Sequence, residues 1–207
     1  MYHNQVIMNA NRGTGAGGAN TNVSGKSFED RMSMQSKLID SGYTKTITDK
    51  ACKFGYILSK TIDNKIEINY VKQIGLKKYL HFEHSNKDLH LDELNHPDEC
   101  FIIQDKSRSP FFFKPKLIVI EMKNQNVSGS CFDKLYNGTY YKCLYDKLIG
   151  KYYDVEYHFV VSEFIENKIN NKPMLKQILN ENNINIFNAR DYHTSILTYI
   201  DSVISTF

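Results

Sequence analysis

The alternation of apolar and polar positions predicts several β-strands. Residues 66–71 (IEINYV) alternate as a half-buried strand does, and residues 157–161 form a short run of apolar and aromatic side chains. Residues 99–103 and 117–123 show two further strand patterns, separated by a polar stretch over residues 104–110. These last two strands are expected to form a hairpin, and the second is apolar on both faces, as in a central strand.

Helical spacing of apolar side chains predicts the segments between the strands. Phe28, Met32 and Leu38 recur at that spacing and predict a helix over residues 27–40, with Ser27 as its N-cap. The remaining predicted elements are a helix over residues 131–150, a helix from Pro173 to about residue 182, a strand over residues 184–187 and a helix from about Asp191 onward. This mixture predicts an α/β fold, a mixed central sheet flanked by helices.

Length and composition limit the organisation of the chain. Its 207 residues, 41% of them hydrophobic, suit one domain with a core and exclude a wholly disordered protein. Residues 1–25 are rich in Gly, Asn, Ser and Thr and are expected to form a flexible arm. No apolar run reaches the ~18 residues of a membrane span, and the first residues lack the pattern of a secretory signal. We therefore expect an intracellular protein, cytoplasmic or nucleoid-associated, with no membrane partner.

Two glycine motifs near the N-terminus resemble nucleotide-binding loops but lack their context. Gly13, Gly15 and Gly18 match the G-x-G-x-x-G spacing, yet no strand pattern precedes them. The segment Gly25 to Ser27 resembles the end of a P-loop, without the upstream glycine at the required spacing. We therefore expect no nucleotide cofactor.

Two acidic residues and a lysine lie where the predicted hairpin brings its strand ends together. Side chains alternate across a strand, so Glu121 and Lys123 point to one face. If the two strands pair antiparallel, Asp98 lies at the same end of the hairpin. Two neighbouring carboxylates repel unless a cation neutralises them, which makes this pair a natural oxygen site for Mg²⁺. Such a site suits phosphodiester hydrolysis, with Lys123 stabilising the attacking hydroxide or the charge on phosphorus.

The tripeptide Glu121-Met122-Lys123 has a simpler interpretation when it is taken alone. Glu-x-Lys is common, and it is most often a same-face ion pair on a surface strand. Here the tripeptide follows an apolar run, and Pro97-Asp98 precedes the neighbouring predicted strand. This context favours a functional role.

The order Pro97-Asp98, then Glu121-Met122-Lys123, resembles the PD-(D/E)XK nuclease superfamily, which has the restriction-endonuclease-like fold. Residues 25–29 (GKSFE) look like the "G..FE" opening of the first helix in many of these nucleases. Gln125 matches the (D/E)XKXQ extension of several branches. The resemblance covers roughly residues 13–140.

A further similarity follows the second strand of the predicted hairpin. Ser128-Gly129-Ser130, with Lys134 and Tyr136 after it, looks like the "SGS…EKL.Y" helix start of some type II restriction enzymes. Asp133 occupies the acidic position of that pattern.

This resemblance implies roles for individual residues. Asp98 and Glu121 would bind Mg²⁺, Lys123 would assist the attacking water, and Glu29 and Gln125 would support the site. The residues expected to contact DNA are Arg12, Asn20, Asn22, Lys26, Ser128, Ser130 and Lys134. Two other acidic residues are alternatives to Asp98, the adjacent Glu99 and, less well placed in the turn, Asp105.

Three other groups of residues have two interpretations each. The Gly- and Asn-rich arm suits contact with phosphates or base edges, and equally a disordered tail. Basic residues around the hairpin turn suit DNA backbone contact or a charged turn; they are Lys106, Arg108, Lys114 and Lys116. Histidines whose spacing fits no zinc motif are interpreted as solvated loop residues rather than metal ligands; they are His81, His84, His90 and His96.

The implied function is Mg²⁺-dependent cleavage of double-stranded DNA, most simply by a sequence-specific type II restriction endonuclease. A symmetric duplex site cut on both strands needs two active sites, so a homodimer is expected. One alternative is a repair, recombination or structure-specific nuclease of the same fold. Others are a non-catalytic DNA-binding protein and an interaction protein with an accidental motif. The active site is expected at one sheet edge, with the arm near it.

Overall fold

The computed structural model describes residues 19–46, 57–85, 89–109, 111–124 and 131–207. A seven-stranded sheet lies at its centre, with the strands side by side in chain order. The strands are β1 (Thr44–Thr46), β2 (Ile57–Ile62), β3 (Ile66–Val71), β4 (Glu99–Asp105), β5 (Lys116–Lys123), β6 (Asp154–Val161) and β7 (Ile186–Asn188). The helices are α1 (Ala19–Met32), α2 (Gln35–Asp40), α3 (Gly75–Glu83), α4 (Cys131–Tyr136), α5 (Gly138–Ile149), α6 (Glu163–Asn170), α7 (Pro173–Glu181) and α8 (Tyr192–Ile204), with a 3-10 turn at Leu91–Glu93.

The sheet changes from antiparallel to parallel pairing at β5. Strands β1 to β5 pair antiparallel, whereas β5, β6 and β7 pair parallel. A tight turn joins β2 to β3, with Asp63 and Asn64 at φ 51° and 54°, the left-handed geometry that fits the twist of a hairpin. Parallel neighbours need longer crossovers, and α4 and α5, then α6 and α7, provide them.

Helices cover both faces of the sheet. On one face α3 and α4 to α7 bury apolar side chains such as Leu80, Tyr145 and Leu179 against the sheet. On the other face α1, α2 and α8 do the same with Phe28, Leu38 and Ile196. The predicted mixed sheet with flanking helices is therefore confirmed. Within the described residues, no helix combines the length and the apolar character that a membrane span needs.

The predicted strands correspond to observed ones, and the predicted hairpin is confirmed. The strand predicted over residues 66–71 is β3, and the two hairpin strands are β4 and β5, which pair antiparallel. The later runs match β6 and β7 within a few residues at each end. Apolar runs mark β4, β5 and β6 in the sequence because both faces of these three strands are buried.

The helix predicted over residues 27–40 is wrong in its boundaries. It is two helices, and Ser27 lies inside α1 rather than at its N-cap, because α1 begins at Ala19. The expected arm, residues 1–25, therefore overlaps α1, and residues 1–18 lie outside the described part of the chain. Buried Phe28 and Met34, one in α1 and one just before α2, anchor this region despite its weak helix propensity.

The helix predicted over residues 131–150 is also two helices, α4 and α5. The break comes at Asn137, and Gly138 begins α5. A Cβ atom at position 138 would lie 2.6 Å from the ring of Phe159, so only glycine allows α5 to lie this close to β6.

Candidate active site

Asp98 and Glu121 lie side by side at the end of two neighbouring strands. Glu99 pairs with Ile120 in the antiparallel register of β4 and β5, and one step further along this register Asp98 is opposite Glu121. Residues opposite each other in such a pair have Cβ atoms about 4.5–5.5 Å apart and share a face. The structure therefore brings together the two carboxylates that the sequence predicts as neighbours.

The side chain of Asp98 is fixed by the backbone of β5. Its Oδ2 accepts a hydrogen bond from the backbone N–H of Met122, at 2.6 Å. Because β4 begins only at Glu99, this side-chain bond takes the place of a further backbone hydrogen bond between β4 and β5. Asp98 thus gains a defined position, and no described residue donates a hydrogen bond to its Oδ1.

Glu121 is buried, with 7% of its surface exposed, and each of its oxygens has a donor. Lys123 Nζ lies 2.6 Å from Oε2, and the side-chain amide of Asn95 donates to Oε1 at 2.8 Å. Asn95 is itself held by Tyr145, whose hydroxyl donates to the Asn95 carbonyl at 3.2 Å. The carboxylate is therefore oriented on one side by a charge and on the other by a neutral amide.

Negative charges outnumber positive charges around Glu121, where the Asp98 and Glu29 carboxylates face the single Lys123 ammonium. Burial raises the pKa of Glu121 to about 7, the Lys123 ammonium opposes this, and the Asp98 and Glu29 carboxylates raise the pKa further. A buried carboxylate beside other carboxylates and one lysine is held partly protonated near neutral pH. A divalent cation bound here would favour the ionised carboxylate and so offset the electrostatic free energy of ionising Glu121 in this buried site.

Glu29 approaches the same site from α1. Burial raises the pKa of Glu29, the Asp98 carboxylate raises it further, and Lys123 and Lys72 oppose the shift. A small cavity of about 40 Å³ lies between α1 and the strand ends. Its lining includes Lys26, Glu29, Lys72, Asp98 and Met122. The predicted supporting position of Glu29 is thus next to Asp98.

The two carboxylates are oxygen ligands of the type that a hard divalent cation such as Mg²⁺ accepts. Within the described ranges, no three acidic, histidine or cysteine side chains are grouped closely enough to hold an ion by themselves. Mg²⁺ does not require such a group, because it keeps several waters and is often bound by one or two carboxylates plus substrate phosphate. Asp98 and Glu121 supply the two carboxylates.

The site lies at the ends of central strands. The sequence predicts the site at one sheet edge, but β4 and β5 are interior in the strand order, with β3 beyond β4 and β6 beyond β5. The parallel strands β6 and β7, which extend the sheet past β5, are the reason.

Glu99, the alternative to Asp98, has a structural role. It is fully buried, and its oxygens accept hydrogen bonds from the Met34 backbone N–H (2.9 Å) and the hydroxyls of Tyr70 (2.5 Å) and Tyr192 (2.9 Å). Burial raises the pKa of Glu99, and these hydrogen bonds and Lys72 oppose the shift. Its oxygens tie α2, β3 and α8 to β4, which leaves Asp98 as the ligand candidate.

Asp105, the second alternative, lies at the opposite end of β4. It accepts hydrogen bonds from Ser107 and pairs with Arg108 at 3.0 Å. The basic residues of the hairpin turn have local partners as well, including a pair between Lys106 and Glu67 at 2.8 Å. These contacts favour the charged-turn interpretation of this end of the hairpin.

The other predicted site residues are less well described. Lys26 is exposed and lines the small cavity, and Lys134 is exposed on α4. Asn20 and Asn22 lie in the backbone of α1, but their side chains are outside the described part. The remaining predicted residues lie outside the described ranges: Arg12, Gln125, Ser128 and Ser130.

Two residues near the site were not predicted from the sequence. Asn95 lies in the loop before Pro97, and Lys72 follows directly after β3. A backbone hydrogen bond from Gln73 N to Pro97 O, 2.9 Å, joins the two loops. No residue pattern singles out one asparagine or one lysine in such loops. The nearby motif Pro97-Asp98 was the one usable signal.

Among family models, curated proteins and solved structures, none matches this chain. The interpretation of the site therefore rests on the chain's own residues and their geometry.

Proposed function

We propose that this protein is a Mg²⁺-dependent endonuclease that hydrolyses DNA phosphodiester bonds, with a restriction-endonuclease-like fold. The observation that carries the proposal is the placement of Asp98 and Glu121 at adjoining ends of β4 and β5, with Lys123 on the same face. The mixed sheet, with an antiparallel hairpin joined to parallel strands, supports the same proposal.

Each of these residues has a distinct role in the proposed reaction. Asp98 and Glu121 bind Mg²⁺, and Asn95 keeps the Glu121 carboxylate in position through its hydrogen bond at 2.8 Å. Mg²⁺ held by these residues would supply Lewis-acid stabilisation of the negative charge on the phosphate. Lys123, on the same face as the two carboxylates, would place a positive charge beside the attacking water and the phosphate and so stabilise the transition state. Glu29 supports the site from α1.

Specificity and assembly belong to the proposal as well. A sequence-specific restriction endonuclease that cuts both strands of a symmetric duplex needs two active sites, and we propose a homodimer for that reason. A repair or structure-specific nuclease would use the same Asp98, Glu121 and Lys123.

Digestion of plasmid DNA of known sequence tests the proposal. With Mg²⁺ we expect discrete fragments, and sequencing of their ends gives the recognition site. Smears or nicking only at junctions would instead indicate the structure-specific alternative. DNA binding without any cleavage would indicate the non-catalytic alternative.

Variants assign the activity to the site. Asp98→Ala and Glu121→Ala are expected to abolish cleavage while DNA binding in Ca²⁺ is retained. Glu93→Ala, which removes an exposed carboxylate from the nearby 3-10 turn, is the matched control and should cleave normally. Full activity of either active-site variant would contradict the assignment.

A further inference from the structure

A second cleft opens beside the candidate active site, at the carboxyl ends of the parallel strands. Asn124, which follows Lys123 at the end of β5, forms part of its wall, and residues after β6 and β7 form the rest together with the end of α1. Its volume is about 650 Å³, within the range of sites that hold a nucleotide-sized group. Open α/β sheets bind ligands at this position, outside the carboxyl ends of their strands.

The basic residues of this cleft are arginines. The chain has only four arginines among its 26 basic residues, and two of them, Arg31 and Arg190, line this one cleft. The guanidinium group binds phosphate through two parallel hydrogen bonds, which lysine cannot do. Two arginines in a chain so poor in arginine point to an anionic ligand with phosphate geometry.

Both arginines are able to exchange their present contacts for a ligand. Arg31 Nε donates to the Ser27 carbonyl at 3.3 Å, and within the described residues its terminal nitrogens have no partner. Arg190 pairs with Glu163 at 2.8 Å, but both side chains are more than 60% exposed, and such pairs contribute little free energy. A phosphate therefore replaces these contacts at low cost.

The position of Arg190 is fixed by its neighbour. The Asn188 side chain accepts a hydrogen bond from the Arg190 backbone N–H at 2.8 Å and donates to Glu166. This arrangement holds the turn after β7, so Arg190 enters the cleft from a defined backbone position. Phe164 and Asn167 of α6 supply an aromatic and an amide side chain to the same wall, groups that suit a nucleobase.

We propose that this cleft holds the DNA segment adjoining the cleaved phosphate, with Arg31 and Arg190 bound to its backbone phosphates. This inference rests on the proposed nuclease function, since it makes the cleft part of the same substrate-binding surface. It assigns DNA contact to two residues outside the predicted set: Arg31, at the opposite end of α1 from Asn20 and Asn22, and Arg190, in the turn after β7.

The test is DNA binding measured by fluorescence anisotropy in Ca²⁺, using a short labelled duplex at several salt concentrations. The double variant Arg31→Gln/Arg190→Gln is expected to bind at least ~10-fold more weakly, and its slope of log affinity against log salt is expected to fall by about 1 to 2. Arg108→Gln is the control for each single variant, Arg31→Gln and Arg190→Gln, because it removes one arginine charge at the far end of the sheet. It should bind within about twofold of the unmodified protein.

The outcomes separate this inference from the proposed function. Equal binding by the double variant and the unmodified protein, or equal weakening by Arg108→Gln, overturns the role of the cleft even if the protein cleaves DNA. Absence of any DNA binding overturns it too. Arginine-dependent binding without Mg²⁺-dependent cleavage supports the cleft and overturns the nuclease. Circular dichroism and thermal unfolding confirm that each variant is folded.

Discussion

The ammonium nitrogen of Lys123 lies 2.6 Å from Oε2 of Glu121, and both side chains project from the same face of β5. This ion pair lies at a mostly buried position, with side-chain exposures of 17% and 10%. Its attraction does not overcome the cost of burial, because the pKa of Glu121 is still raised to about 7. Ionised Glu121 is therefore electrostatically unfavourable in this buried site, and a bound divalent cation would stabilise it.

The first prediction concerns the pH dependence of stability. The pKa of Glu121 is raised from 4.5 to about 7 by burial, so the folded state binds this proton more tightly than the unfolded state. The resulting stabilisation is complete below about pH 4.5 and is lost as pH rises through about 7. Glu121→Gln should remove this dependence and make the protein more stable at pH 8, by on the order of 1 to 3 kcal/mol. Urea unfolding at pH 5 and pH 8 measures the effect.

The same experiment contains its own control. Glu93→Gln changes an exposed carboxylate and should leave the pH dependence as it is in the unmodified protein. An unchanged difference between pH 5 and pH 8 in Glu121→Gln would show that Glu121 does not carry the raised pKa.

The second prediction concerns Lys123. Lys123→Ala is expected to slow DNA cleavage at saturating Mg²⁺ by at least ~10²-fold, because a charge that stabilises the transition state is lost. Its pH profile should also move to higher pH, since Lys123 opposes the raised pKa of Glu121. Lys147→Ala, an exposed lysine of α5, is the control. An undiminished rate would remove Lys123 from the mechanism.

The third prediction concerns Asn95. Asn95→Ala removes the amide that donates to Glu121 Oε1 and leaves the bond between Asp98 and Met122 intact. Residues that orient a metal ligand typically contribute 10- to 100-fold to metal affinity, and a loss of about that size is expected here. Isothermal titration with Mg²⁺ measures it, with the exposed Asn180→Ala as control. Unchanged affinity would mean that Asn95 only packs against the carboxylate.

The fourth prediction separates Glu99 from Asp98. Glu99→Leu leaves the buried hydroxyls of Tyr70 and Tyr192 and the Met34 N–H without their acceptor, and we expect a loss of about 2 to 4 kcal/mol in unfolding free energy. Glu99→Gln keeps one oxygen and should cost less than half as much. Neither variant should change Mg²⁺ affinity per folded molecule. A large change in that affinity would place Glu99 among the metal ligands.

The sequence predicts the central part of the sheet well. Strands β4, β5 and β6 are buried on both faces, so their residues form apolar runs that stand out from the rest. The hairpin of β4 and β5 then follows, and with it the proximity of Asp98 and Glu121. That proximity needs only strand pairing and side-chain alternation, both of which are local properties.

Other elements could not be predicted in this way. Strand β2 carries Ser59, Lys60 and Thr61 on its partly exposed half, so it lacks a continuous apolar run. The start of α1 is rich in Asn and contains Gly25, and the helix is stabilised by the burial of Phe28 rather than by propensity. The fixed position of Asn95 depends on Tyr145, which is distant in sequence.

The raised pKa of Glu121 is a tertiary property too. It depends on burial and on charges from α1 and from the residue before β4, which a sequence pattern does not display. The same holds for the cleft of Arg31 and Arg190, whose walls come from four separate parts of the chain.

The metal site between Asp98 and Glu121 can be tested with Mn²⁺ in place of Mg²⁺, using electron paramagnetic resonance to measure how much of the ion stays free in the presence of the purified protein. We expect one bound ion whose affinity rises roughly tenfold from pH 6 to pH 8, as Glu121 loses its proton. Both Asp98→Asn and Glu121→Gln should lose this binding, and Glu93→Gln should keep it. Binding that persists in both active-site variants would contradict a metal site between these two carboxylates.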